Sequence, residues 1–409
     1  MKRVCGYVLG LVAVFAVMLS TQALSAAEGA KVFRIGIIGT TTSHVPAALK
    51  AFNTDDPKFD IFKGFKVTAA YTGGMPDNPS SWDRRDKYTQ ECVDKGVKIY
   101  GTIEEMVQNV DGVMLESVDG RPHLEQAKPV IAAKKPLFID KPMAGSLADV
   151  LEIFKLAAAA KVPVFSASSL RYSAEAQQMR NEAPLGKVWG ADAASPASLN
   201  DKHPDMYWYG IHGVETLFTL MGPDCVSVSR VKTQAGDLAV GIWNDGRIGT
   251  FRGTRAGRHT YAGFVYCEKG NQAAGKYDGY EPLFVEICKF FKTGKSPIAQ
   301  NETINIFAFM SASDVSWAKG GKLVQLQDVI THARNEKQET FEVVLAKDGK
   351  PTWNGQAATC EDLTAKVAQV CSNGTVCRVI VNNRAGASFD ALQKVLAALD
   401  QAYLANYLY

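Results

Sequence analysis

Between residues 31 and 167, short apolar runs alternate with helix-forming segments, and nothing else in this 409-residue chain restricts its fold as strongly. The runs are 31–39, 65–71, 97–100, 112–116, 136–140 and 162–167. The helical stretches between them are 45–52, 87–95, 103–109, 123–133 and 147–161. A parallel pair needs a crossover, usually a helix, so this alternation predicts a parallel sheet covered on both faces. Chemistry in such sheets gathers where strands end at their carboxyl edge. The fifth run stops abruptly at Asp140-Lys141-Pro142, which makes Lys141 either a functional amine or part of a decorated turn.

After Arg171 the character changes. Runs at 188–194, 226–233, 238–243, 248–255 and 261–268 predict an α+β unit with an open, mostly antiparallel sheet, with helices at 211–221, 280–292 and 303–319. A polar linker at 335–339 opens a third piece, read as ββαβα with a hairpin closed near Asn354-Gly355 and a helix capped by Thr359. The chain therefore divides into a Rossmann-like α/β unit (31–170), the α+β unit (171–334) and a small α/β unit (340–409).

Residues 1–27 read as an export signal: Lys2 and Arg3, an apolar stretch at 8–19, then small residues around Ala23–Ala27. The apolar part is short for a membrane span, although an uncleaved anchor stays open. The formal charge of +3 includes both signal cations, so nothing points to nucleic acid or an anionic surface as partner. In an oxidising compartment, one disulfide among Cys360, Cys371 and Cys377 is expected, with the pairing open. Their spacing fits no zinc pattern, and no metal site is expected.

The first strand turn should carry Gly-x-Gly-x-x-Gly if it binds a dinucleotide, but reads Gly39-Thr40-Thr41-Thr42-Ser43-His44. Only Gly39 survives. Thr41, Thr42 and Ser43 still offer hydroxyls at a helix start, where anions are favoured. No acid ends the second strand to hold a ribose hydroxyl; Tyr71-Thr72 stands there. The stretch Asp205–Glu215 places three aromatics before His212, with Glu215 three residues later on the same helix face. An imidazole beside a carboxylate suits proton transfer near neutral pH, and Trp208 and Tyr209 suit a sugar face. As a metal pair, His212 and Glu215 lack an evident third ligand. Arg171 is a candidate for a substrate oxygen, and His123 for a helix start or the cofactor side.

With these residues laid out, residues 32–334 resemble the Gfo/Idh/MocA oxidoreductases. The matching features are Ile35-Gly36-Ile37-Ile38-Gly39, Arg121-Pro122-His123, Asp140-Lys141-Pro142, Gly210-x-His212-x-x-Glu215, and the segment from Phe309 to Val324. The resemblance implies a Rossmann domain, an oligomer-forming open sheet, NAD or NADP, and sugar-like polyol substrates. It implies that Lys141 contacts the nicotinamide ribose and substrate hydroxyl while His212 handles the proton, with Asp140 in the place of the family's glutamate. Two departures stand out: the phosphate turn, and Trp208 where the family carries an aspartate. Residues 340–409 resemble the soluble periplasmic domain of ExbD/TolR-type proteins, which implies an envelope partner.

Two readings follow. One is an exported NAD(P)-dependent oxidoreductase acting on a sugar or sugar derivative, with transient oxidation as a variant. The other is a secreted carbohydrate-binding or envelope-interaction protein that keeps the fold without the cofactor. Both expect the mature chain to begin just after residue 27; N-terminal sequencing of exported protein checks this, and an intact Met1 would make 8–19 an anchor.

Overall fold

The computed structural model describes residues 31–336, 338–371, 376–382 and 386–406. The segment 1–27, read above as an export signal, and the side chains of Cys371 and Cys377 lie outside them; Cys360 carries a free thiol.

The first sheet is built from β1 (Phe33–Ile38), β2 (Phe65–Tyr71), β3 (Lys98–Ile99), β4 (Gly112–Leu115), β5 (Leu137–Asp140) and β6 (Val164–Ala167), in the order β3-β2-β1-β4-β5-β6, all parallel. Reversal of the order at β1/β4 opens a crevice outside the carboxyl ends. Strands β4, β5 and β6 are buried throughout, which is why they read as continuous apolar runs rather than alternating ones. Helix Leu147–Ala160 is capped by Ser146, whose hydroxyl accepts from Asp149 N, and helix Ile103–Val107 by Thr102, which accepts from Glu105 N.

One face of this sheet is covered from far along the chain. Phe284, Ile287 and Phe290 of helix Glu281–Thr293 pack on Ile35, Ile37, Phe138 and Phe165, with the Phe165 and Phe290 rings edge to face at 4.8 Å. Each buried phenylalanine contributes roughly 1.5–3 kcal/mol. The Rossmann-like unit and the second unit are therefore joined through one core.

The second sheet comprises β7 (Val188–Pro196), β8 (Cys225–Lys232), β9 (Gly236–Trp243), β10 (Ile248–Thr254), β11 (Ala262–Cys267), β12 (Gly270–Ala274) and β13 (Val324–Gln325), ordered β12-β11-β7-β10-β9-β8-β13. Only β7 and β10 pair in parallel. One face packs on helices Ile211–Met221 and Gln300–Ala318, so Ala239, Gly241 and Trp243 of β9 are buried while the alternate residues Val240 and Ile242 are half-covered. Trp189, Val231 and Ile248 stay exposed.

The third sheet, β14 (Gln338–Leu345), β15 (Pro351–Trp353), β16 (Gln356–Ala357) and β17 (Val376–Asn382), runs β16-β15-β14-β17 with β14 and β17 parallel. The short β16 is an addition to the expected ββαβα order, and the linker read at 335–339 is instead the end of helix Leu326–Asn335 and the start of β14. Thr359 and Asp362 form a reciprocal cap: Thr359 N donates to Asp362 Oδ2 at 2.8 Å, and Asp362 N to Thr359 Oγ1 at 3.1 Å. This unit docks on the loop after β2. Phe389 stacks on Trp82 at 5.3 Å, and Gln393 Nε2 donates to Pro76 O at 2.6 Å.

Arg171 and Glu215, read from the sequence as substrate residues, face each other in the interior. The Arg171 guanidinium pairs with Glu215 and, at 2.8 Å, with Glu302, which Arg180 holds from the other side at 2.6 Å. Arg171 joins the end of the parallel sheet to two helices of the second unit. Replacing it leaves the buried Glu215 carboxylate uncompensated and Glu302 with Arg180 alone, so Arg171→Met is expected to lower unfolding free energy by about 3–5 kcal/mol in a urea titration.

Candidate active site

The carboxyl edge of the first sheet opens into a cleft of about 640 Å³, within the usual span of small-molecule sites. Thr42, Ser43 and His44 line one wall, at the start of helix His44–Phe52. Pro79, Ser80 and Arg84 of the loop after β2 stand across it, and Lys141 at the end of β5 faces Trp208, Tyr209 and His212 of the second unit.

The glycine-poor turn explains itself once folded. Gly39 sits at φ +89°, and a Cβ there would lie 2.5 Å from Ser117 N, so glycine is required. The following threonines turn inward. Thr40 Oγ1 is 2.7 Å from Thr89 Oγ1, and Thr41 Oγ1 accepts from Val118 N at 3.0 Å. They fill space that the glycine pattern leaves open, and Gly39 and Thr41 do not line the cleft. Thr42, Ser43 and the helix start do, with no acid in the first turn to oppose an anion.

Lys141 precedes a cis peptide to Pro142, and its ammonium lies 5.6 Å from the Tyr209 ring centroid. His212 packs edge-on against the same Tyr209 ring, at 5.2 Å between centroids. His212 Nδ1 is 2.7 Å from Ser168 Oγ, which also accepts from Leu170 N. A hydroxyl oxygen can accept twice, so a His212 tautomer protonated at Nδ1 keeps Nε2 as a free base. Burial, together with the charges of Lys141 and His44, holds the His212 pKa well below 6.5. Tyr261, Tyr277 and Tyr280 complete the wall and were missed in the sequence because they come from the loop around β11 and β12.

Behind His44 lies a group unforeseen in the sequence. His44 Nδ1 is 2.8 Å from Asp140 Oδ2 and 3.6 Å from Glu116 Oε2, and all three side chains are buried. No carboxylate oxygen of either acid meets a donor in hydrogen-bond geometry. Burial opposes the charge on His44, but Asp140 and Glu116 outweigh it and hold its pKa well above 6.5; burial pushes Glu116 up to about 7. Burial likewise works against the Asp140 charge, and His44 and Lys141 overcome it and keep the pKa low. Asp140, expected at the cofactor, lies beneath His44 instead. The only sequence signal for Glu116 was an acid at a strand end.

His123 does not reach the cleft. Its ring lies between the carbonyls of Ser117 and Met143, at 2.8 and 3.2 Å, tying the loop after β4 to the Lys141 segment. Arg121 beside it forks onto Asp119 and Asp77, with Nη1 2.7 Å from Asp77 Oδ2, and anchors the loop on which the third unit docks.

Because the folded state disfavours the His212 proton, the unfolded chain takes it up first as pH falls. The contribution of neutral His212 is full above pH 6.5 and is lost below it. The raised pKa of His44 has the opposite sign, with stability present below 6.5 and lost as pH rises. The test is therefore a difference: between pH 7 and 5.5 the wild type is expected to lose up to about 1.4 kcal/mol per pH unit more than His212→Gln, read from urea unfolding.

The sequence of residues 33–168 matches the model of an oxidoreductase family described as an NAD-binding Rossmann fold (Gfo/Idh/MocA), and residues 306–407 match that of the biopolymer transport proteins ExbD/TolR. The second match begins inside the buried helix Gln300–Ala318, ahead of the third sheet. No described helix is long and apolar enough to cross a membrane. A comparison with curated proteins finds no match. Among solved structures, the chain is similar to scyllo-inositol dehydrogenase from Lactobacillus casei with bound NAD(H) and scyllo-inositol: 14% identity, TM-score 0.58, covering 73% of this chain and 100% of that one. It is similar also to myo-inositol dehydrogenase of the same organism in complex with NAD(H) and myo-inositol: 14% identity, TM-score 0.57, covering 72% and 96%. GenD2 from gentamicin A biosynthesis, in complex with NAD, matches at 15% identity with TM-score 0.57, covering 72% and 96%. These likenesses establish the fold. The match to the Gfo/Idh/MocA family model spans β1–β6, and Lys141 stands at the carboxyl edge of the matched segment.

Proposed function

We propose that this chain is an exported NAD(P)-dependent oxidoreductase acting on a sugar or sugar derivative. The observation that carries the reading is that Lys141 and neutral His212 both lie against the Tyr209 ring and line one cleft at the switch point of a parallel sheet. The residues present fit a dinucleotide. The helix start at Thr42 and Ser43 offers hydroxyls with no acid in its own first turn, and Ser80 and Arg84 line the same cleft beside the one acid there, Asp83, so Thr42, Ser43, Ser80 and Arg84 would hold the phosphates. NAD(P) in that position supplies a hydride acceptor, and if retained between turnovers it supports transient oxidation that leaves it unchanged overall.

The chain's own residues supply the rest. The Lys141 ammonium orients a substrate hydroxyl, and Nε2 of His212 takes its proton while Ser168 steadies the ring. Trp208 stands where the family has an aspartate, and an indole cannot relay a proton, so the proton path ends at His212. Trp208, Tyr209, Tyr261 and Tyr277 give apolar ring faces with polar edges, which suit the faces of a cyclic polyol. The inositol dehydrogenases among the structural neighbours support that substrate class. Export is supported by the pattern of residues 1–27.

The second reading, an envelope-interaction protein without cofactor, is favoured by one observation, the ExbD/TolR match over residues 306–407. Titration of NAD+ and NADP+ into purified mature protein separates the two: saturable binding is expected, and none at millimolar nucleotide would overturn the oxidoreductase reading. With cofactor bound, Lys141→Ala is expected to keep its far-UV circular dichroism while oxidation of a cyclic polyol falls by at least about 100-fold. Unchanged turnover would remove Lys141 from the mechanism.

A further inference from the structure

We propose that His44, Glu116 and Asp140 form a binding site for a divalent cation of the zinc or manganese type, at the floor of the cleft.

Three observations carry it. The first is convergence. One ligand-capable atom from each residue lies within 4.8 Å of the others, and no other such group of three occurs among the described residues. The two measured separations from Nδ1, 2.8 Å to Asp140 and 3.6 Å to Glu116, are those of ligands sharing an ion. With bonds of about 2.1 Å they correspond to ligand–metal–ligand angles of about 84° and 118°, ordinary values for a three-ligand site.

The second observation is unmet valence. Glu116 Oε1 and Oε2 and Asp140 Oδ1 and Oδ2 are all buried and none is met in good hydrogen-bond geometry; the close cation is the His44 ring, whose Nδ1 lies 2.8 Å from Asp140 Oδ2 and 3.6 Å from Glu116 Oε2. Two adjacent buried carboxylates that share a single imidazole remain undersatisfied, and native structures complete such groups with further donors or coordinate metals with them. Lys141, the neighbouring ammonium, leans over Tyr209 and donates to neither acid.

The third is the support beneath the ligands. His44 opens a helix, Glu116 directly follows β4 and Asp140 ends β5. Glu116 N donates to Ile38 O at 2.7 Å, so the backbone that carries it is held to β1. Ligands mounted on strand ends and a helix start are held in place before any ion arrives, which lowers the cost of binding.

The donor set selects the ion. One imidazole and two carboxylates suit zinc or manganese, whereas calcium takes six to eight oxygens and magnesium prefers to keep its waters. Three protein ligands leave a coordination position open. His44 also lines the cleft, so an ion on Nδ1 lies beside Lys141, where it adds positive charge to the wall that receives substrate oxygens or an anionic group. The inference does not depend on the oxidoreductase reading, and its test uses no nucleotide.

Full-length mature protein, stripped with chelator, is dialysed against Zn2+ or Mn2+ and measured by inductively coupled plasma mass spectrometry and calorimetry. One tightly held equivalent per chain is expected, with weaker binding of Ca2+ and Mg2+. Glu116→Gln and Asp140→Asn, which keep the shape, are expected to weaken binding at least tenfold. No bound ion in the wild type, or unchanged affinity in both variants, would overturn the proposal. Should the variants fail to fold, pulsed electron paramagnetic resonance on the Mn2+-loaded wild type decides: coupling to one imidazole nitrogen supports the site, and its absence refutes it.

Discussion

Six parallel strands end on one edge, and a buried imidazole between two carboxylates closes that edge. The order β3-β2-β1-β4-β5-β6 brings the ends of β1, β4 and β5 together, and from them come the Gly39 turn, Glu116, and Asp140 with Lys141. His44, opening the helix after β1, reaches over both acids. The close approach of the turn to Ser117 explains why Gly39 alone of the usual glycines is needed. The threonines after it face inward and give up space for dinucleotide backbone contact, while the helix start remains open to the cleft.

The second unit completes the site and fixes its own position at the same time. His212 and Glu215 sit three apart on one helix, which suggested a joint role. Packing separates them: His212 meets Ser168 and the tyrosine wall, while Glu215 turns to Arg171 and Glu302. One side of this helix start is therefore chemical and the other structural. The aromatic core around Phe290 adds a further joint, because it covers a sheet formed more than a hundred residues earlier. Little rigid-body freedom between the two units follows from so extensive a shared core.

The third unit reaches the site's surroundings through the loop after β2. Its last helix stacks Phe389 on Trp82, whose ring also carries the Arg85 guanidinium at 3.8 Å. The same loop supplies Pro79, Ser80 and Arg84 to the cleft and is pinned by Arg121 through Asp77. A unit resembling an envelope module thus rests directly on one wall of a Rossmann cleft.

By itself the sequence determined the architecture and the center of the site. Hydrophobic periodicity is local, so β1, β2, β4, β5 and β6 and most helices of the first two units were legible in it, as was the lysine at a strand end. The short 3-10 helix Pro57–Phe62 was not, because six residues in two tight turns are too few to show a hydrophobic period. Tertiary structure alone decided which polar residues share a space. Arg171 and Glu215 were sent inward because each is the other's compensating charge, and His123 because two carbonyls receive it. Glu116 joined His44 across seventy residues because parallel pairing of β1 with β4 places their ends side by side. A buried charge cluster is a property of that pairing, and no local pattern in the chain encodes it.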